Sequence, residues 1–286
     1  MSELVAKGPT AWSARNGGPT GPDGTARGVP SGPARGGSAA VRALVLVARC
    51  VRLSRRNADA LLMSLLLPVM LMLIFVYLFG GAIDTGTRYV TYVAPGVLIL
   101  CAGFGAAGTA VSVTTDLANG VIDRFRTLDV GPVAILGGHV VASIVRNSVS
   151  TVLVLAVAVG IGFRPAVEPL RWLAAAGLLL LFLLAISWLS ATFGLLTRTP
   201  EAAGGFTFVV MFLPYPSSAF VPVETMPTWL HGFAEHQPVT PVIESLRALL
   251  LGTPPGSAPL QAVAWCLALL ALAVTASAVL FPRRVR

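Results

Sequence analysis

Between residues 59 and 281 the chain alternates long apolar runs with short polar interruptions, at 59-79, 91-114, 138-162, 172-196, 203-220 and 258-281. Crossing about 30 Å of hydrocarbon takes roughly 20 helical residues, so the pattern predicts six transmembrane helices. The fourth run, LAAAGLLLLFLLAISWLSATFGLL, is the clearest. The fifth is short and runs into Pro214 and Pro216.

The polar interruptions carry a periodicity of their own. In DLANGVIDRFRTLDV, residues 116-130, Leu117, Val121, Phe125 and Leu128 fall within about 80° of a helical wheel, opposite Asp116, Asn119, Asp123 and Arg126. In VRALVLVARCVRLSRRN, residues 41-57, Arg42, Arg49, Arg52 and Arg56 share a face opposite Leu46, Cys50 and Leu53, the pattern of a helix lying on the membrane with its arginines toward anionic headgroups. Two readings of these segments are open: interfacial helices that stabilise topology, or docking surfaces for a cytoplasmic partner. Between the fifth and sixth runs, Pro227, Pro238 and Pro241 cut the sequence into pieces too short to span, which predicts short re-entrant helices on the outer surface.

Composition agrees with a polytopic membrane protein: 55% of the 286 residues are hydrophobic, 11% are charged, and the mean hydropathy is +0.81. The net charge of +8 does not point to nucleic acid, because the basic residues flank apolar runs, where they set orientation. With the N-terminus inside, the inner flanks hold Arg42, Arg49, Arg52, Arg55, Arg56, Arg124, Arg126, Arg198, Arg283, Arg284 and Arg286, against Arg88, Arg164, Arg171 and Arg247 outside. That distribution predicts both termini in the cytoplasm. Residues 1-40, rich in Gly, Pro, Ser and Ala without apolar periodicity, read as a disordered cytoplasmic tail that lacks the features of a secretory signal.

Candidate chemistry narrows the function by what is missing. A P-loop needs a lysine at the phosphates, and the only lysine is Lys7, in the tail. Arg146, near the inner third of the third run, is either a snorkelling side chain or a packing or gating residue. His231 and His236 are about 140° apart on a helix and do not form a zinc pair; no metal ligands, disulfides or catalytic residues are expected. Glu224, Glu235 and Glu244 are scattered along the outer stretch, as capping or solvated residues are. In CAGFGAAGTAVS, Gly103 with Ala107 and Gly108 with Ser112 have the small-residue spacing of closely packed helices, within one chain or between two.

Four stretches together resemble the type-2 permeases of ABC exporters, particularly the daunorubicin-resistance-type drug exporters of bacteria. They are LLLPVMLMLIFVYLFGGAI, DLANGVIDRFRTLDV, the GFRP of 162-165, and SSAFVPVETMPTWLHGFAEHQPVTPVIESLRALLLG at 217-252; the resemblance covers residues 41-286 as one transmembrane domain. It implies an all-α fold in the bacterial inner membrane, with a connecting helix at 41-57 carrying Arg49, Arg52 and Arg56, and extracellular helices at 222-252 carrying Glu224, Trp229 and Glu244. It also implies a coupling helix that enters a cleft on a separate ATPase subunit, here Asp116, Leu117, Val121, Asp123, Arg124, Phe125, Arg126 and Leu128. Asp129 stands where the family often has proline, and the tail has no family counterpart. Two permease chains and two ATPase chains would form the unit, with ATP and Mg on the ATPase and no cofactor on this chain. A small hydrophobic or amphipathic substrate would leave the cell. The alternatives are an exporter subunit for a lipid or lipid-linked envelope precursor, and a membrane anchor or regulatory subunit without a pathway.

The orientation is testable. With the three native cysteines removed, single cysteines at Asn119 and Thr228 are expected to react with an impermeant maleimide from opposite sides of the membrane; labelling of both on intact cells contradicts it.

Overall fold

Proline, glycine and threonine set the ends of the helices into which the apolar runs fold. The structure, a computed structural model, describes residues 58–83, 85–120, 132–254 and 256–284. In chain order the helices are α1 (Ala58–Leu73, continuing as a π-helix over Ile74–Phe79), α2 (Tyr89–Ala118), α3 (Pro132–Ile161), α4 (Pro169–Leu196), α5 (Pro200–Phe212), α6 (Thr228–His236), α7 (Val239–Leu251) and α8 (Ala258–Arg284). No strand occurs among the described residues. Among the described residues, four helices are long and apolar enough to cross a membrane: α2, α4, the Ile135–Ile161 part of α3 and the Ala258–Pro282 part of α8. Leu65–Phe79 and α5 are apolar but shorter.

The fifth run departs most from expectation. Predicted over 203-220, its helix instead starts at Pro200, where the Thr199 side chain accepts from the Ala202 amide at 3.3 Å, and stops at Phe212. Pro214 and Pro216 offer no backbone donor to continue it, so 213–220 forms turns. At about 1.5 Å per residue, α5 covers only about 20 Å. A second correction concerns Pro241. Pro227 and Pro238 stand at the N-caps of α6 and α7 as the pattern requires, but Pro241 lies inside the first turn of α7, where a missing donor costs nothing. Gly252, at φ 76°, closes α7 in the left-handed conformation.

The helices assemble around α2, which packs against α1, α3, α4, α5 and α7. Most of its length is buried, whereas α3 and α8 turn broad apolar faces outward, Val145, Val149 and Val152 on α3 among them. Small residues permit this crowding. A Cβ on Gly96 would stand 2.7 Å from the Ala219 carbonyl oxygen, and one on Gly194 of α4 would stand 2.6 Å from that of Ala110. Gly103 faces Val210 of α5 and Ala107 is fully buried, so this predicted pair packs within the chain; Ser112 of the other pair is exposed.

Arg146 does not snorkel. It stands at the midpoint of α3 and turns inward, its Nη2 donating to the Gly105 carbonyl of α2 at 3.1 Å. Packing is therefore its observed role. The GFRP stretch is also explained: Gly162 takes φ 117° beside the Arg88 guanidinium, Phe163 is fully buried, and the Ala166 amide donates to the Leu250 carbonyl at 2.7 Å, joining the α3–α4 connection to α7.

Gly96→Ala and Gly194→Ala meet backbone rather than a movable side chain, so each is expected to cost about 1–3 kcal/mol through overpacking. Thermal unfolding in detergent checks this against Gly137→Ala, whose added methyl meets nothing within 4 Å. Equal midpoints for the three variants would refute the close-packing account.

Candidate functional site

Two clusters of polar side chains among the described residues stand at the two ends of α2. At its C-terminal end, where the 116-130 segment begins, Thr114 Oγ1 lies 2.9 Å from the carbonyl oxygens of both Ala110 and Gly194, and 2.8 Å from Thr197 Oγ1. Two residues on, Asp116 meets His139 of α3 at 3.4 Å, with the side chains only 20% and 10% exposed. Arg284 of α8 donates to the Thr197 carbonyl at 2.7 Å, a cation at the C-terminal end of α4. Thr192 in turn donates toward the carbonyls of Trp188, at 2.8 Å, and Ala273, at 2.9 Å. Four helices thus meet at the root of the segment predicted to couple.

That segment does not begin as the wheel placed it. Asp116 and Leu117 are the last turn of α2, which ends at Ala118; the Asn119 amide bonds back to Thr115, and Gly120 takes φ 64°. The left-handed glycine ends the regular helix that carries Asp116 and Leu117. Asn-Gly was the signal for this turn. Val121, Asp123, Arg124, Phe125, Arg126 and Leu128 lie outside the described residues, as do Arg49, Arg52 and Arg56 of the predicted connecting helix.

At the other end of α2 the turn segment 213–220 is clamped. The Tyr89 hydroxyl donates to the Phe220 carbonyl at 2.9 Å, Gln237 donates to that of Pro216, and Phe220 stacks between Phe75 and Tyr215. Arg247 of α7 completes the clamp. Its guanidinium lies 3.9 Å from the centre of the Tyr92 ring and donates to the carbonyls of Tyr92, at 3.3 Å, and Ser218, at 2.5 Å. Burial lowers its pKa, while Tyr92 and Glu244 favour the charged form.

Of the predicted outer residues, Glu224 is the middle residue of the 3-10 turn Val223–Thr225 and is exposed, and Trp229 is 79% exposed on α6, one helical turn from exposed Phe233. Glu244 faces, with Arg247, Thr253 and Ser257, a cavity of about 420 Å³ between α7 and the start of α8. Glu224 lies within electrostatic reach of Glu244, and both carboxylates act on Tyr92. His231 and His236 bond to the Met226 and Gly232 carbonyls nearby on their own segment. Sequence reasoning passed over Thr114, His139, Thr197 and Tyr92, and counted Arg247 only as a flanking charge. The available signals were the hydroxyls in the TRT turn after the fourth run and an arginine three residues from Glu244 in an apolar stretch.

Comparison with known proteins supplies the context for this geometry. Residues 42–251 match the ABC-2 type transporter family. Over 190 residues, 66% of this chain and 67% of the relative, the sequence is 32% identical to the daunorubicin resistance ABC transporter permease protein DrrB1 of Streptomyces coeruleorubidus. It is 24% identical over 207 residues, 71% of this chain and 74% of the relative, to the probable doxorubicin resistance ABC transporter permease protein DrrC of Mycobacterium tuberculosis. With the long apolar helices of the bundle and a match across most of the chain, this multi-pass membrane protein belongs to the ABC-2 type transporter family.

Proposed function

We propose that the chain is the permease subunit of an ATP-driven exporter that moves a hydrophobic or amphipathic compound, of the drug or natural-product kind, out of a bacterial cell. The observation that carries this reading is the match to resistance permeases over two-thirds of their length, together with the absence of a P-loop lysine from the full sequence. Energy must then come from a separate ATPase, which would hold ATP and Mg. In this reading both termini are cytoplasmic, two copies of the chain join two ATPases, and six apolar helices per copy, including the shorter α1 and α5, lie in the inner membrane. The segment from Asp116 to Asp129 docks on the ATPase, with its apolar residues in a cleft and its charges at the rim.

Phe125 is the test of that docking. Truncating a buried aromatic anchor can cost about 2 kcal/mol or more of binding, and an aspartate adds an uncompensated charge. Phe125→Asp is expected to leave membrane abundance unchanged, weaken copurification with the ATPase by at least about 30-fold, and abolish export. Asp123→Asn is expected to be milder, since an exposed rim charge contributes about 1 kcal/mol or less. Native mass measurement of the unsubstituted complex should give two copies of each chain. Full ATPase binding and export by Phe125→Asp would leave the segment a membrane-surface helix only.

A further inference from the structure

The described part of the coupling end contains a junction that docking alone does not require. Thr197 closes α4, its amide donating to the Phe193 carbonyl at 3.2 Å, and its side chain and carbonyl meet partners on two other helices. Its Oγ1 lies 2.8 Å from Thr114 Oγ1 of α2 and 3.2 Å from the carbonyl oxygen of Gly194, while its own carbonyl accepts from Arg284 of α8 at 2.7 Å. Two residues later, Thr199 caps the start of α5. A hydroxyl has one proton to donate, so when either threonine donates to the other, the second donates to a carbonyl. Both arrangements leave α2 and α4 joined.

The join is stiff. Gly194 brings the α4 backbone against Ala110, leaving no room for a Cβ, and interior packing of this density does not deform continuously. Thr114 is two residues before Asp116, where α2 is about to enter the 116-130 segment. A displacement of that segment must therefore move the α4–α5 turn or break the Thr114–Thr197 contact. We infer that Thr197 is a positioning residue of transport, the junction through which movement of the coupling segment reaches α5 and α8. This rests on the exporter reading but concerns transmission within the chain rather than attachment of the ATPase.

The test reads motion directly and needs no identified substrate. A single cysteine replaces exposed Phe212, at the far end of α5, in a chain whose native cysteines are alanine. Its reaction rate with a maleimide is measured in the complex with the copurified ATPase, without nucleotide and with Mg-ATP trapped by vanadate. Trapping is expected to change the rate about fivefold or more, the lower range of coupling between distant sites. Thr114→Val with Thr197→Val is expected to abolish that change while ATPase association persists, and Thr197→Ser is expected to retain it. Arg284→Ala, an exposed position, should leave the α5 response intact and reduce the same response at a cysteine replacing Leu272 on α8. If the double variant fails to accumulate, the Thr197→Ser and Arg284→Ala results decide. A nucleotide response that survives the double variant, or no response in the unsubstituted complex, overturns the inference; failure of the ATPase to copurify at all overturns the exporter reading instead.

Discussion

How closely other backbones can approach α2 governs the rest of the structure. Helices in lipid gain little from the hydrophobic effect when they meet, because the acyl chains they leave are as apolar as the side chains they join. Dense contact and interhelical hydrogen bonds must hold them together. Gly96 admits the Ala219 backbone, Gly105 admits the Asn147 side chain, and Gly194 admits Ala110. The same gaps expose helix carbonyls to outside donors. Thr114 reaches the Gly194 carbonyl and Arg146 reaches that of Gly105, each at a residue with no side chain in the way.

Polar groups are satisfied unevenly along the bundle. Thr114, Thr192 and Thr197 each find partners on a neighbouring helix, and all three sit toward the coupling end. Nearer the middle, the buried oxygens Thr109 Oγ1, Ser190 Oγ and Asn147 Oδ1 have no hydrogen-bond partner, although Asn147 does donate to Ser143. An orphaned buried polar group costs about 1–3 kcal/mol. The same central region still carries interhelical hydrogen bonds, Ser143 with Ser187 between α3 and α4 at 3.1 Å and Arg146 with Gly105 between α3 and α2.

Much of this was legible in the amino-acid pattern, for a definite reason. Transmembrane helices satisfy their own backbones, so length and apolarity locate α2, α3, α4 and α8 without knowledge of any neighbour. Local chemistry held two further signals that the reading did not use, Pro214 and Pro216 for the end of α5 and Asn-Gly for the αL turn after Asn119. Long-range contacts were not legible. The depth of Arg146 suggested snorkelling because no signal indicated that Gly105, 41 positions earlier, would present its carbonyl. Thr114 and Thr197 are 83 positions apart, and Arg247 and Tyr92 are 155 apart. Each looks unremarkable within its own segment. For 116-130 the described residues reach only Gly120, whose left-handed conformation ends the helix that begins the segment.

The two polar ends belong to one helix, and that links the Arg247 clamp to the Thr114 cluster. Thirty residues of α2 extend about 45 Å, with Tyr89, Tyr92 and Gly96 holding the 213–220 turns at one end and Thr114 and Asp116 tied to α4 and α3 at the other. Pro95 interrupts this rod. It supplies no amide to the preceding turn, so the hydrogen-bond ladder lacks the rung from residue 95 to the Thr91 carbonyl, beside the clamp. Below it, the helix is fixed by close packing on α3, α4 and α5. Tilting that lower part would strain the proline joint before it stretched any other portion of the ladder, and the first contacts loaded would be those of Arg247 and Tyr89 with the carbonyls of 218 and 220. A closely packed length of helix that ends in a proline joint thus concentrates the bending freedom of α2 beside the Arg247 and Tyr89 contacts.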